Sequence, residues 1–384
     1  MSSGHGQVEI DLRPLQGGDS GRGIGTTVRG IAGCFPDAGA ILWRGLPAPA
    51  EATGRRITWL RGPRRSARIS WAADAAWSRV GRDRSAGTLW HLMNADVSYD
   101  GGGAYVVTIN DTIPWRFPDL YPAGPTGRFR MALTARMARN ARAVVVPSRV
   151  SADDVLRFLK VPARRVEVIP WAADPAMAPL ASEPTEQALP ERLSPHPRYP
   201  LLRYPASRYV VMAGGFAHHD PRKNYEDAVR ALVGLPEDVM LYVTGGDGPA
   251  APSLREAARS LGVGERVVLT GHLDMTEMRS LYSCAAAFVF PSLWEGFGLP
   301  LLDAFSLSVP AVVSDGGSLP EVAGGAALVY PAGDVAALTA HLRQIVENPA
   351  VATDLGSRGR ARSLEFSWSS TGEMYRGVYE GAMR

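Results

Sequence analysis

Cysteine is scarce, with only Cys34 and Cys284 in 384 residues. They lie far apart and form neither a CxxC pair nor a metal knuckle, which excludes a disulfide-stapled scaffold and fits a reducing compartment. Long apolar runs are missing too. Nothing approaches the ~20 consecutive apolar residues that span a bilayer, and the opening MSSGHGQVEIDLRPL has no leader-like segment, so the chain is expected in the cytoplasm. Charge of one sign is not in excess: the formal net charge is +3, so no global field calls for nucleic acid and none is expected as a partner. The adjacent histidines His218 and His219 lack the neighbours that complete a zinc site. No metal and no cofactor are expected.

What is present is an apolar share of 46%, enough to bury substantial cores, in a chain long enough for two domains. Short apolar runs alternate with helical spacing. Residues 7–12, 105–109, 143–146 and 166–169 read as strands, with helices at 128–141 and 151–159. A polar stretch punctuated by Pro184, Pro190, Pro195, Pro197 and Pro200 then breaks the pattern, because regular elements there would lose backbone hydrogen bonds. We read residues 1–180 as one domain, 181–206 as a linker and 207–365 as a second domain. The second half carries strands at 209–213, 240–244, 267–270, 286–290, 311–314 and 327–330, each followed by a helical stretch. Such alternation produces a parallel sheet covered by helices, an α/β fold in which ligands bind at the carboxyl ends of the strands.

The run PSLWEGFGLP at 291–300, followed by Asp303, is the richest stretch. It follows an apolar strand, and Pro300 suits the first turn of the next helix. Gly296 and Gly298 let backbone approach a ligand closely, and free amides at a helix start favour an anion. Carboxylates repel a diphosphate, so Glu295 and Asp303 suit hydroxyl groups attached to that anion, and a nucleotide sugar satisfies both demands. Equally, Glu295 fits as a turn cap and Asp303 as a helix acid. Arg222 and Lys223 follow the strand at 209–213 and suit either a diphosphate or solvent. Gly21, Gly23 and Gly25 form a loose glycine pattern short of a dinucleotide fingerprint, which counts against a dehydrogenase.

PSLWEGFGLPLLDAFSLSVPAVVSDGGSLPEVAGGAALVYPAGD resembles the donor-site signature of retaining glycosyltransferase family 4. GRGIGTTV, VVTINDTIPWRFPDLY, VVVPSRVSADDVLRFLKVPARRVEVIPWAAD and GGFAHHDPRKNYEDAVRAL agree with that family in the same order. The resemblance implies the GT-B fold: two doubly wound Rossmann-like domains facing a central cleft, with a last helix, 366–384, crossing back to the first. It implies a cytoplasmic, metal-independent transferase moving a hexose from a nucleoside diphosphate sugar to a hydroxyl of a small-molecule, glycan or lipid-linked acceptor. Glu295 then contacts the donor sugar and Asp303, where the family more often has glutamate, the nucleotide ribose. Arg222 and Lys223 face the diphosphate, and Gly215, Gly296, Phe297, Gly298 and Leu299 line the donor. The loop with Gly23 and Gly25 closes over the phosphates.

Asn110 stands where many members of that family have histidine. An amide holds a hydroxyl but does not shuttle a proton near neutral pH. Together with Asp303 it is the ground for an alternative, an inactive relative serving as partner or regulator of an active transferase. His91 and Asn94, in LWHLMN, are assigned to the acceptor side. Arginines 128, 130, 136, 139 and 142 form a basic stretch that fits either a solvated helix face or a peripheral contact with anionic lipid at the inner face of a membrane.

Overall fold

Runs such as AVVV, YVVM and AFVF are apolar at every position, and in a strand that is tolerated only where both faces are covered. The computed structural model bears this out: β6 (Ala143–Val146), β8 (Tyr209–Met212) and β11 (Ala287–Phe290) are buried along their whole lengths. It describes residues 7–17, 23–61 (the last by backbone alone), 87–93, 103–179, 208–214, 220–245, 248 and 250–384. The region read as a linker, 181–206, lies outside them.

The chain divides into two compact bodies, Met1–Ala172 with Ser367–Arg384, and Ala173–Phe366. The first holds a seven-stranded parallel sheet in the order β3-β2-β1-β4-β5-β6-β7. Its strands are β1 (Gln7–Asp11), β2 (Gly39–Arg44), β3 (Ile57–Arg61), β4 (Thr88–Leu92), β5 (Tyr105–Thr108), β6 and β7 (Val166–Val168). The helices α1 (Gly23–Cys34), α2 (Ile113–Arg116), α3 (Pro125–Asn140) and α4 (Arg149–Asp154) follow β1, β5 and β6. The second body holds six parallel strands in the order β10-β9-β8-β11-β12-β13, with β9 (Met240–Val243), β10 (Val267–Leu269), β12 (Ala311–Ser314) and β13 (Leu328–Tyr330). Its helices run from α5 (Tyr225–Val233), α6 (Ala251–Ser260) and α7 (Met275–Ser283) through α8 (Leu299–Ser306) and α9 (Leu319–Ala323) to α10 (Val335–Glu347) and α11 (Pro349–Ser363).

Each sheet reverses its strand order once, at β1/β4 and at β8/β11, and a crevice opens at the strand ends beside such a reversal. That places the loops after β8 and β11 at the second body's natural binding position. The last helix, α12 (Trp368–Met383), covers the first sheet together with α1: Tyr375, Tyr379 and Ala382 join Val28, Ile31 and Ala32 in one apolar core. The two helices approach closely because glycine faces bulk. A β-carbon at Gly30 would lie 2.4 Å from the Trp368 ring, and one at Gly372 2.8 Å from Cys34 Cβ. The opposite face is closed by α3 through Ala135, Met137 and Ala138.

Two readings of the sequence change. Gly23 and Gly25 are not loop residues: both lie in the first turn of α1, while residues 18–22 are outside the described ones. The strands β2, β3 and β4 carry no expectation from the apolar runs, since each is broken by tryptophan, arginine or histidine.

Candidate functional site

Beyond β8 the segment Asp220–Pro221–Arg222–Lys223 forms a tight turn. The Asp220 carboxylate accepts the Arg222 backbone N–H at 3.2 Å and a guanidinium N–H at 2.8 Å. Proline follows the capping aspartate where its fixed φ suits the turn, and Asn224 ends it in the left-handed region at φ 50°. Leu293 N–H, in the loop after β11, donates to Arg222 O at 2.7 Å, so the two loops at the strand-order reversal are tied together.

Glu295 projects from the second loop into this turn. Its Oε2 lies 2.9 Å from Arg222 Nη1 and its Oε1 2.8 Å from Lys223 Nζ. Burial alone would raise its pKa, but the Arg222 and Lys223 charges outweigh that and hold it at about 2. Glu295 is therefore an anion across the physiological range. Arg222 is also committed to Asp220 and to the Trp294 carbonyl. Its side chain is 8% exposed against 21% for Lys223. Lys223 sits over the Phe290 ring at 5.3 Å, and its ammonium has three N–H donors of which one points at Glu295. An anion entering here meets Lys223 as the adaptable cation and Arg222 as the fixed one.

The loop after β12 braces Glu295 from below. Ser318 N–H donates to Glu295 O at 3.0 Å, and the Ser318 hydroxyl lies 3.0 Å from that carbonyl and 2.8 Å from Phe297 O. Gly317, at φ +66°, lets the chains touch: a β-carbon there would stand 2.4 Å from Glu295 O. Gly298, at φ +105°, opens α8 with Pro300 in its first turn. Gly296 and Leu299 are buried, and the Phe297 ring packs edge-on against Phe366 at 6.0 Å, a structural contact. Gly215 lies outside the described residues, as does Asn94.

Asp303 stands inside α8 rather than in its first turn. Its Oδ1 accepts the Asp174 backbone N–H at 3.0 Å. Burial raises its pKa to about 7, with the Asp174 N–H opposing and the Asp174 charge adding. The folded chain thus holds a proton that the unfolded chain, at the ordinary 3.8, releases. The resulting destabilisation is absent below about pH 4 and complete above about pH 7. Asp303→Asn, which keeps the Oδ1 acceptor, is expected to raise the melting temperature over wild type at pH 8 and to leave it nearly unchanged at pH 4. Equal gains at both pH values in thermal denaturation would contradict the assignment.

In the first body, Asn110 follows β5, and its Oδ1 is buried without a hydrogen-bond partner among the described residues. Its neighbour Asp111 makes the local turn, accepting Ile113 N–H at 3.1 Å. Asp154 fixes the loop, accepting the Thr112 hydroxyl at 2.8 Å and Arg116 Nε at 2.9 Å. His91 is not an acceptor-side group. It is fully buried, Nδ1 lies 2.7 Å from Tyr379 OH and Nε2 2.8 Å from Thr108 Oγ1, so both ring nitrogens are occupied within the core. Burial lowers its pKa to about 3, which keeps it neutral. The apolar flanks in LWHLM fit this burial. Helix α3 exposes Arg128, Arg130, Arg136 and Arg139 beside Phe129, itself 59% exposed. Among the described residues no helix is long and apolar enough to cross a membrane.

Asp220, Ser318, Gly317 and Asp154 escaped the sequence reading. Asp-Pro before a basic pair and Ser-Asp-Gly-Gly after a buried strand were the available signals, the first for a capped turn and the second for close backbone approach.

Paired doubly wound sheets with a lysine, an arginine and a glutamate at a strand-order reversal are the parts of a GT-B glycosyltransferase, and comparison agrees. The model "Glycosyltransferase Family 4" matches residues 42–176 and "Glycosyl transferases group 1" matches residues 203–362. The chain belongs to these group 1, family 4 glycosyltransferases. O-antigen chain mannosyltransferase B of Escherichia coli is 28% identical over 298 residues, 73% of this chain and 74% of that protein. MMP alpha-(1->4)-mannosyltransferase of Mycolicibacterium hassiacum is 31% identical over 255 residues, 65% of this chain and 56% of that protein. Among solved structures, Anabaena HepE in complex with UDP and glucose superposes with a TM-score of 0.72 at 16% identity, covering 98% of this chain and 100% of that one. Sucrose-phosphate synthase from Thermosynechococcus elongatus gives 0.70 at 19% identity, covering 97% and 98%.

Proposed function

We propose that the protein transfers a hexose from a nucleoside diphosphate sugar to an acceptor hydroxyl with retention of configuration and without a metal. The observation that carries this reading is the convergence of Lys223, Arg222 and Glu295 at the β8/β11 reversal. The diphosphate leaves as its charge is met by the Lys223 ammonium and by backbone amides at the start of α8, while Glu295, held anionic, orients sugar hydroxyls. The acceptor attacks from the face the diphosphate vacates, and the leaving phosphate oxygen takes its proton, so no protein nucleophile is needed. Asn110, as an amide, offers a hydroxyl contact and no proton transfer. Asp303 meets a ribose hydroxyl through the oxygen not given to Asp174, donating to it while protonated and accepting from it when ionised.

The mannosyltransferase names of the relatives make GDP-mannose the first donor to test. UDP-glucose is the second. With the purified chain, release of GDP or UDP is expected from one of these donors, undiminished by EDTA, and NMR of the transferred sugar is expected to show the donor's anomeric configuration. Nucleotide binding with no turnover across both donors and a panel of glycan acceptors would leave an inactive partner protein as the reading; an inverted product would overturn the stereochemical part.

A further inference from the structure

The outer edge of the first sheet carries a feature that the donor site does not use. Strands β2 and β3 run parallel with Leu42 opposite Trp59 and Arg44 opposite Arg61, so Arg44 ends β2 while Trp59 stands at the middle of β3, on the same face of the sheet. Here Arg44, Gly45 and Trp59 line a wide, shallow surface hollow of about 350 Å³. Trp59 is 41% exposed on an edge strand, so part of its indole face is open to a ligand. Gly45, at φ +89°, meets nothing within 4 Å of where a β-carbon would be, so the hollow stays open on its side.

The wall is held rigid from behind. Gln16 accepts the Trp43 N–H at 2.7 Å and directs its amide to Trp43 O at 3.2 Å and Pro47 O at 3.1 Å. The Arg13 guanidinium lies 4.7 Å over the Trp43 ring and is locked by a buried pair with Asp11 at 2.6 Å. A turn fixed this way presents Arg44 and Gly45 in one geometry, which is what a binding surface requires and a mobile loop lacks.

An exposed indole beside a guanidinium suits a ligand with one apolar face and a rim of hydroxyls. A pyranose ring has that shape: its C–H face covers the indole while its hydroxyls accept from the planar fork of Arg44 or stay hydrated. We propose that this hollow binds one sugar unit of a glycan acceptor, distal to the unit that receives the hexose. The proposal rests on the transferase reading for its choice of ligand, and the ligand class it adds is an oligosaccharide acceptor rather than a small aglycone.

Isothermal titration with mannotetraose and maltotetraose, in the absence of donor, tests it. One of the two is expected to bind wild type, with affinity at least tenfold lower in Trp59→Ala and several-fold lower in Arg44→Ala. Trp59→Phe, which keeps a ring to stack on, is expected to recover most of the affinity and so separates stacking from misfolding. Glu295→Gln is expected to keep oligosaccharide affinity while losing donor turnover, so failure of the transferase reading shows in the donor assay and failure of this one in the titration. No binding of either tetrasaccharide to wild type, or equal binding by wild type and Trp59→Ala, would overturn the proposal.

Discussion

Glu295→Gln is expected to lower turnover of the donor by about 100- to 1,000-fold, the usual effect of deleting one preorganised electrostatic contact. Glutamine keeps the shape of the side chain but not its charge. In wild type one carboxylate oxygen faces Arg222 and the other Lys223. An amide offers one acceptor and turns its NH₂ toward the second cation, donor against donor. Folding stability falls as well, toward the low end of the roughly 3–5 kcal/mol for breaking a buried pair, because Asp220 still answers Arg222. Combining it with Lys223→Met removes the orphaned cation, so the double variant is expected to be more stable than Glu295→Gln alone, a non-additivity that marks direct coupling. Retention of more than half of wild-type kcat in Glu295→Gln would remove Glu295 from the site.

Gly317→Ala is expected to cost about 100-fold in turnover although residue 317 carries no chemistry. Its φ of +66° strains any L side chain, and its β-carbon would meet Glu295 O at 2.4 Å and Glu295 N at 2.9 Å. Those are backbone atoms that cannot rotate away, so the loop bearing Glu295 must move, and a displacement near 1 Å at a catalytic group is worth about that factor. Gly333 supplies the control. It has φ +87° and nothing within 4 Å, so Gly333→Ala takes the same left-handed strain, about 1–2 kcal/mol, with no push on the site. Melting temperature should fall in both variants, further in Gly317→Ala because of its added backbone clash, while only Gly317→Ala loses kcat. Matching losses of kcat would show that strain rather than displacement governs the effect.

The second body was largely legible because its central strands are uniformly apolar and its helices are punctuated by capping residues such as Asp274 and Asp334. That Lys223 and Glu295 meet across 72 positions was legible only through the family resemblance, which set both at one donor; no local pattern pairs them, and the strand order brings them together. In the first body, ITWLR and GAILWR mix tryptophan and arginine with aliphatic residues: β2 is buried through Leu42 and opens only at Trp43 and Arg44, and β3 is the edge strand, so neither reads as an unbroken apolar run. His91 was misassigned for a related reason. Its partners Thr108 and Tyr379 come from another strand and from a helix 288 positions away, and no local pattern signals a hydrogen bond across that span.

Tyr375, Tyr379 and Ala382 sit in the apolar core that β1 and α1 begin, so the first body closes only when the last residues arrive. During synthesis, residues 173–366 are delivered in full before that closure. Order of translation and order of completion therefore differ: the nascent amino-terminal sheet waits with one flank covered by α1 but not yet by α12 while the downstream body is made. Shielding that flank is a demand the covalent order of the chain places on the cell.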